Sequence, residues 1–311
     1  MRLVTFTRSR EAQNSIARIG ALLDDGKNVL DLFDVLGVPE KEYRSPFSLL
    51  EWFDLDGELF QQADRIVKEG LSSDDARQEL ARFAVPFADV HLTAPVPRPG
   101  KLICIGLNYR DHAIESNMQV PERPIVFSKF PTSVIGPRQP LCLPGTSKNA
   151  DYEAELAVVI GRVAKNVAEA EAFDHVFGYT NLNDISERGF QFADGQWQRG
   201  KSCDTFAPMG PYVATKDEIA DPHSLSIRFR LNGKTLQDSN TDQLIFDIPA
   251  IIAYLSETIT LEPGDVIATG TPAGVGFARN PPIFLNDSDL MEVEIDGLGI
   301  LRNVVTRSAD Y

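Results

Sequence analysis

Cysteine is scarce in this 311-residue chain: Cys104, Cys142 and Cys203 are the whole set, and none sits in a CxxC spacing. So few and so scattered, they exclude a disulfide framework or a zinc ribbon as the organising device and point to a reducing compartment. Long apolar runs are missing as well. The first twenty residues, MRLVTFTRSREAQNSIARIG, hold no apolar core followed by a small-residue cleavage site, and no later stretch approaches a membrane span. A cytoplasmic protein with no membrane partner is the expectation. Positive charge is in deficit, with 30 Lys and Arg against 45 Asp and Glu and a formal charge of -15, which disfavours nucleic acid and anionic membranes. A small molecule is the better partner. If that molecule is an anion, its site needs local positive charge from a metal or a lysine. Also absent are internal repeats, low-complexity tracts, the Gly-Lys-Ser/Thr of a P-loop and a GxGxxG opening a helix.

What is present is a chain long enough to bury roughly three quarters of its unfolded surface. Met1 to Thr7 alternates like a strand, and two apolar runs within Ile16 to Leu32 flank the turn DDGK at Asp24 to Lys27, a hairpin signal. From Ser48 to Phe83 the apolar period becomes helical. The proline-rich APVPRPG, Ala94 to Gly100, reads as an extended linker, so residues 1–96 form a small α+β domain and residues 97–311 a second one. That second unit carries short strands at Leu102–Ile105, Ile125–Phe127, Leu156–Ile160, Leu225–Leu231, Val266–Ala268 and Met291–Ile295. Helices are fewer, at Tyr109–Ser116, Val167–Phe173 and Ile248–Ser256. The pattern predicts a β-rich α+β fold, a roll or barrel and not a βαβ repeat.

One stretch organises the chemistry. In DYEAELAVVIG, Asp151 to Gly161, Glu153 and Glu155 sit in an apolar strand and share a face, opposite Ala154, Leu156 and Val158. Two like charges beside an apolar strand repel and lose hydration unless a cation lies between them. Asp184, where a strand gives way to a loop in NLNDISERGFQ, can complete a three-carboxylate oxygen site of the kind Mg²⁺ or Mn²⁺ takes. On spacing alone, a solvated strand edge with each glutamate paired to Lys or Arg stays equally open. In GLNYRDHAIE, a helix puts His112 and Glu115 on one face, where the carboxylate orients the ring, although such a pair is also common on plain surface helices. Lys201 follows Gly200 and precedes an apolar segment, so it is either held near a core site or an ordinary surface lysine. Finally TGTPAGVG, Thr269 to Gly276, packs three glycines behind a strand, letting backbone N–H groups such as that of Gly270 approach an anion.

Taken in order, GLNYRDHAIE, PIVFSKFPTSVIGP, DYEAELAVVIG, GYTNLNDISERGFQ, QWQRGKSCDTFAPMGP and TLEPGDVIATGTPAGVG resemble the fumarylacetoacetate hydrolase family over about Gly100 to Val305. The resemblance implies a mixed β-roll assembled as a homodimer. It implies that Glu153, Glu155 and Asp184 bind Mg²⁺ or Mn²⁺, with Ca²⁺ able to take the place in crystals. His112 and Glu115 match the dyad of a lid helix that activates water. Lys201 matches the lysine at the oxo-acid end of the substrate, Gln191 a glutamine near the metal, and Thr271, beside Gly270, the threonine of the substrate-binding turn.

One departure stands out. Where relatives have Ala-Arg-Asp after the metal aspartate, this chain has Glu187, Arg188 and Gly189, and a looser metal loop is the expectation if that aspartate orders it. The implied reaction is metal-dependent hydrolysis of a carbon–carbon bond in an acylpyruvate-like acid. The alternatives are oxaloacetate decarboxylation or tautomerisation, and isomerisation or decarboxylation of hydroxymuconate-type acids. A catalytically silent metal-binding protein is the remaining reading.

Overall fold

The computed structural model describes residues 1–8, 16–23, 26–193 and 195–307. Its main sheet has 12 strands. The path runs Ala84–Pro86, Asn28–Asp31, Arg18–Leu22, Arg2–Thr7, Ala207–Thr215, Val176–Asn183, Ala154–Ile160, Val266–Ala268, Leu102–Gly106 and Ile125–Lys129, with His91–Leu92 and Val134–Ile135 attached at its side. Neighbours are antiparallel except where Val266–Ala268 lies beside Leu102–Gly106 and Ala207–Thr215 beside Val134–Ile135. A second sheet of 5 strands contains Lys234–Asn240, Ser226–Leu231, Leu290–Ile295, Ile300–Thr306 and Leu141–Cys142. The fold is thus strand-rich α+β with mixed sheets. Because the main path ends on two different strands, the roll does not close into a barrel.

Alternation explains why the strand Ala154–Ile160 is buried along its whole length. Ala154, Leu156, Val158 and Ile160 point into one core, shared with Ile227, Phe229 and Val293 of the second sheet and Ile251 and Ile252 of the helix Ile248–Thr258. Ala157 and Val159 point into the other, beneath Trp52, Phe53 and Phe60. Glu153 and Glu155 therefore belong to the second face. Phe177 locks that side, with its ring 5.2 Å from Phe53 and 4.8 Å from Phe60.

The leading strands do not make a sheet of their own. Arg2 and Leu3 pair with Ala214 and Val213, so the first unit extends the sheet of the second. The hairpin expected around Asp24 to Lys27 is present as Arg18–Leu22 against Asn28–Asp31, while residues 24 and 25 lie outside the described residues. The proline-rich stretch is packed, with Ala94 and Val96 buried and Thr5 donating to the Pro95 carbonyl at 2.6 Å. The helix expected over Val167–Phe173 is instead a 3-10 helix at Glu169–His175. Only Ala172 of it is buried, too little of an apolar stripe to hold α geometry. Among the described residues no helix is long and apolar enough to cross a membrane.

Candidate active site

The strand Ala154–Ile160 pairs antiparallel with Val176–Asn183 in a register that sets Ala154 opposite Asn183. This places Asp184, one residue past its strand, against Glu153, whose carbonyl accepts from the Asp184 amide at 2.8 Å. One carboxylate oxygen from each of Glu153, Glu155 and Asp184 lies within 4.8 Å of the others, and all three residues are buried. Burial rules out a solvated edge, although Glu153 does carry the Lys and Arg pairing of that alternative.

Two of the three acids are neutralised by protein cations. Lys201 donates to Glu153 Oε2 at 2.6 Å and to Asp184 Oδ2 at 2.8 Å. Lys129 reaches Asp184 Oδ1 at 2.6 Å, and Arg188 lies 2.6 Å from Glu153 Oε1. Burial works against the charge of Glu153, yet Lys201 and Arg188 pull its carboxyl down to about 2. Glu155 has no such help. Among the described residues no Lys or Arg comes within ion-pair distance, and it accepts a hydrogen bond from the Gly270 amide at 2.8 Å. Burial, then the charges of Asp184 and Glu153, push it well above the ordinary glutamate range. A buried carboxylate with no counter-cation beside two others is the arrangement a hard divalent ion completes, and an all-oxygen donor set suits Mg²⁺ or Mn²⁺.

Lys201 ends the short helix Trp197–Lys201, which packs on Arg188–Ala193. Gly200 makes that contact, since a Cβ there would stand 2.6 Å from the Gln191 backbone nitrogen. Burial alone lowers a lysine pKa, but Asp184 and Glu153 hold Lys201 above its usual value. Gln191 is buried and accepts from Arg188 Nη1 at 2.9 Å.

His112 and Glu115 lie on the helix Arg110–Glu115, with His112 Nδ1 3.3 Å from Glu115 Oε2. His112 is buried, whereas Glu115 lies at the exposed rim of the site, so the pair runs from the surface inward. Burial raises the Glu115 pKa, but His112 and the Gly274 amide bring it below the ordinary value. The turn residues are bound inward. Gly270 donates to Glu155, and the Thr271 hydroxyl donates to the Ala154 carbonyl at 2.9 Å and accepts from Gln237 Nε2 at 2.8 Å.

Sequence reasoning missed three members of this site. Lys129 ends the strand Ile125–Lys129, and its only signal is a lysine closing a strand in PIVFSKF. Asp151 accepts from Arg188 Nη2 at 2.8 Å, giving that arginine its partner. Gln237 ties Ala154 to the turn, accepting from the Ala154 amide at 3.0 Å and donating to the Pro272 carbonyl at 2.9 Å. The loop expected to be loose is fixed. Buried Glu187 accepts from the Ser147 hydroxyl and from the Asn149 and Gly189 amides, the latter two at 3.1 Å.

Comparison with known proteins places this geometry. The frog (Xenopus laevis) "oxaloacetate tautomerase fahd2, mitochondrial" is 44% identical over 307 residues, covering 98% of this chain and 90% of that protein. The human "oxaloacetate tautomerase FAHD2A, mitochondrial" is 47% identical over 234 residues, 74% of each chain. Among solved structures, the fumarylacetoacetate hydrolase of Exiguobacterium antarcticum superposes with a TM-score of 0.79 at 33% identity, covering 99% of this chain and 100% of that one. Maleylpyruvate hydrolase from Sphingobium sp. SYK-6, in complex with manganese(II) and pyruvate, gives 0.76 at 30% identity, covering 99% and 100%. The model of the fumarylacetoacetate hydrolase C-terminal family matches residues 101–306, which include the carboxylate triad, its lysines and the His112–Glu115 pair. The chain belongs to the fumarylacetoacetate hydrolase family.

Proposed function

We propose that this protein is a divalent-metal-dependent enzyme of small 2-oxo acids, and that its reaction is the keto–enol tautomerisation of oxaloacetate or a close dicarboxylic analogue. The observation that carries the reading is a buried histidine bonded to Glu115 in the same chain as a buried three-carboxylate cluster. Glu153, Glu155 and Asp184 would hold Mg²⁺ or Mn²⁺, and the bound ion supplies Lewis-acid polarisation of the 2-oxo group and a sink for the enolate charge. The protein supplies the rest. Glu115 takes the Nδ1 side of His112, leaving Nε2 to remove the proton from carbon 3 and deliver it to the enolate oxygen, or to carry it back in the reverse direction. Lys201, a buried cation bonded to Glu153 and Asp184, would add positive charge for the substrate carboxylate. Thr271 and Gly270 shape the same floor through their bonds to Ala154 and Glu155.

Tautomerisation needs only a base and an electron sink, and the names of the frog and human relatives agree with it. Carbon–carbon hydrolysis is the second reading, favoured by the likeness to maleylpyruvate hydrolase. There His112 would deprotonate water instead of substrate. We propose a homodimer as the working form in either case, which sedimentation would check.

The deciding experiment follows enol absorbance of oxaloacetate and cleavage of acylpyruvates in parallel, with Mg²⁺ and with EDTA, for wild type and His112→Ala. We expect metal-dependent enol–keto exchange that His112→Ala abolishes. Fast acylpyruvate cleavage without acceleration of the exchange would transfer the assignment to hydrolase, and no turnover of either substrate would return the chain to a metal-binding role.

A further inference from the structure

The helix that carries the dyad spans only Arg110–Glu115, too short to hold itself in place by its own hydrogen bonds. Its position must come from ties to other elements. At its start, Arg110 Nη1 donates to the carbonyls of Asp242 and Leu244 at 3.2 and 2.7 Å. Its outer face offers nothing comparable, with Ile114 80% exposed. The inner face is held by two acids. Glu115 accepts from the Gly274 amide at 3.0 Å, but Glu115 is itself half of the dyad. The other acid is Asp111, whose Oδ1 accepts from the amides of His112 at 2.7 Å and Ala273 at 3.3 Å and whose Oδ2 accepts from Ser239 Oγ at 2.5 Å.

The segment that receives these acids is a fixed piece. Gly270, at its beginning, donates to the metal-site carboxylate of Glu155, while Gly276 and Phe277, at its end, donate to Asp151 at 2.7 and 3.1 Å. Gln237 pins its middle through Thr271 and Pro272. Gly274 lies flush on the same strand, at a φ of +104° and with a would-be Cβ 2.2 Å from the Leu236 carbonyl, so no other residue fits. One stretch of backbone therefore holds a metal ligand from one end and the dyad helix from its middle.

We propose that Asp111 is a positioning residue that docks the dyad helix onto this turn, fixing His112 relative to the metal carboxylates. Its effect on catalysis rests on the reading of His112 and Glu115 as the proton-transfer pair. Its effect on the helix does not.

The test compares Asp111→Ala, Asp111→Asn and wild type as full chains, using oxaloacetate exchange kinetics, Mg²⁺ titration and amide hydrogen exchange. Misplacing a catalytic group by about 1 Å costs on the order of 100-fold, so kcat in Asp111→Ala should fall by about that factor. KM and the magnesium Kd should stay within about twofold, since neither depends on His112 placement. Asp111→Asn, which keeps one acceptor for the two amides, should recover a large part of kcat. Amides of 111–116 should exchange faster in Asp111→Ala while those of 154–160 keep their protection. Unchanged kcat together with unchanged exchange of 111–116 overturns the proposal, as does a loss of protection spread equally over the sheet. If wild type does not turn over oxaloacetate, the exchange result alone decides the docking role, and only the functional reading fails.

Discussion

Glu155→Gln tests most directly whether the triad is built for a cation. Around the site, Asp151, Glu153, Glu155 and Asp184 face Lys129, Arg188 and Lys201, and the acid left without an ion-pair partner is Glu155. Two unit charges 4.8 Å apart repel by about 3.5 kcal/mol at an effective dielectric constant of about 20. The metal-free wild type escapes part of this by holding a proton on Glu155, so the relief from glutamine should be about 1–3 kcal/mol. Glutamine also keeps the acceptor for the Gly270 amide and offers its NH₂ to the neighbouring carboxylates. An unfolding entropy of about 2.1 cal/mol/K per residue over 311 residues is about 0.65 kcal/mol/K, which converts that gain to a Tm rise of roughly 2–5 °C in EDTA. Magnesium at about 100 times its Kd should stabilise wild type by about 2.7 kcal/mol, or about 4 °C. The variant, with one charged ligand gone, should lose most of that shift. Scanning calorimetry with EDTA and with MgCl₂ reads both effects. A variant less stable than wild type in EDTA, or one that keeps the full magnesium shift, would refute the reasoning.

Arg188→Met strands the buried Asp151 and should cost about 3–5 kcal/mol in urea unfolding, with much of the loss returning in the double variant carrying Asp151→Asn. A double variant no better than the single one would deny the pairing its role. The folded-state pKa of Glu115 lies below its ordinary 4.5, so the stability its carboxylate adds is complete above 4.5 and is lost as pH falls through the lower folded value. Tm values of wild type and Glu115→Gln should thus differ near neutrality and converge as pH falls below the ordinary value of 4.5; a constant gap across that fall would show that the charge is not what holds the helix.

Much of the site was legible because its residues are close along the chain or carry a period. Glu155 lies in the strand Ala154–Ile160 and Glu153 just before it, and two apart along extended backbone means one face. His112 and Glu115 are three apart on a helix, and the structure brings them within 3.3 Å. Lys129 shows the limit: it meets Asp184 across 55 residues, through sheet neighbours that no local pattern announces. The leading strand meets Ala214 and Val213 in the same way, as a long-range pairing whose register is fixed only when both edges exist. The 3-10 helix at Glu169–His175 failed for a different reason, since apolar spacing was read as α-helical where only one side chain is buried.

The segment Glu187 to Gly189 shows how a departure from a family motif can mislead when read position by position. An acid that disappears from one position and appears two positions earlier suggests a lost tie, but the tie depends on where the carboxylate ends up. Here Glu187 is buried and gathers the Ser147 hydroxyl with the Asn149 and Gly189 amides, joining 147–149 to 187–189. The same residues are already laddered, with Ala150 opposite Glu187 and Asp151 opposite Ser186, so the acid reinforces the backbone that leads into the metal strand. A Cβ at Gly189 would lie 3.1 Å from Glu187 Oε1, so an aspartate there would set a second carboxylate against the first. Arg188 does not need that aspartate, because Asp151 and Glu153 hold it. The altered motif therefore supplies no structural reason for a silent site. On the proposed reading, tautomerase and hydrolase would differ in whether His112 meets a substrate carbon or a water molecule, which makes the placement of the six-residue helix Arg110–Glu115 the feature to probe.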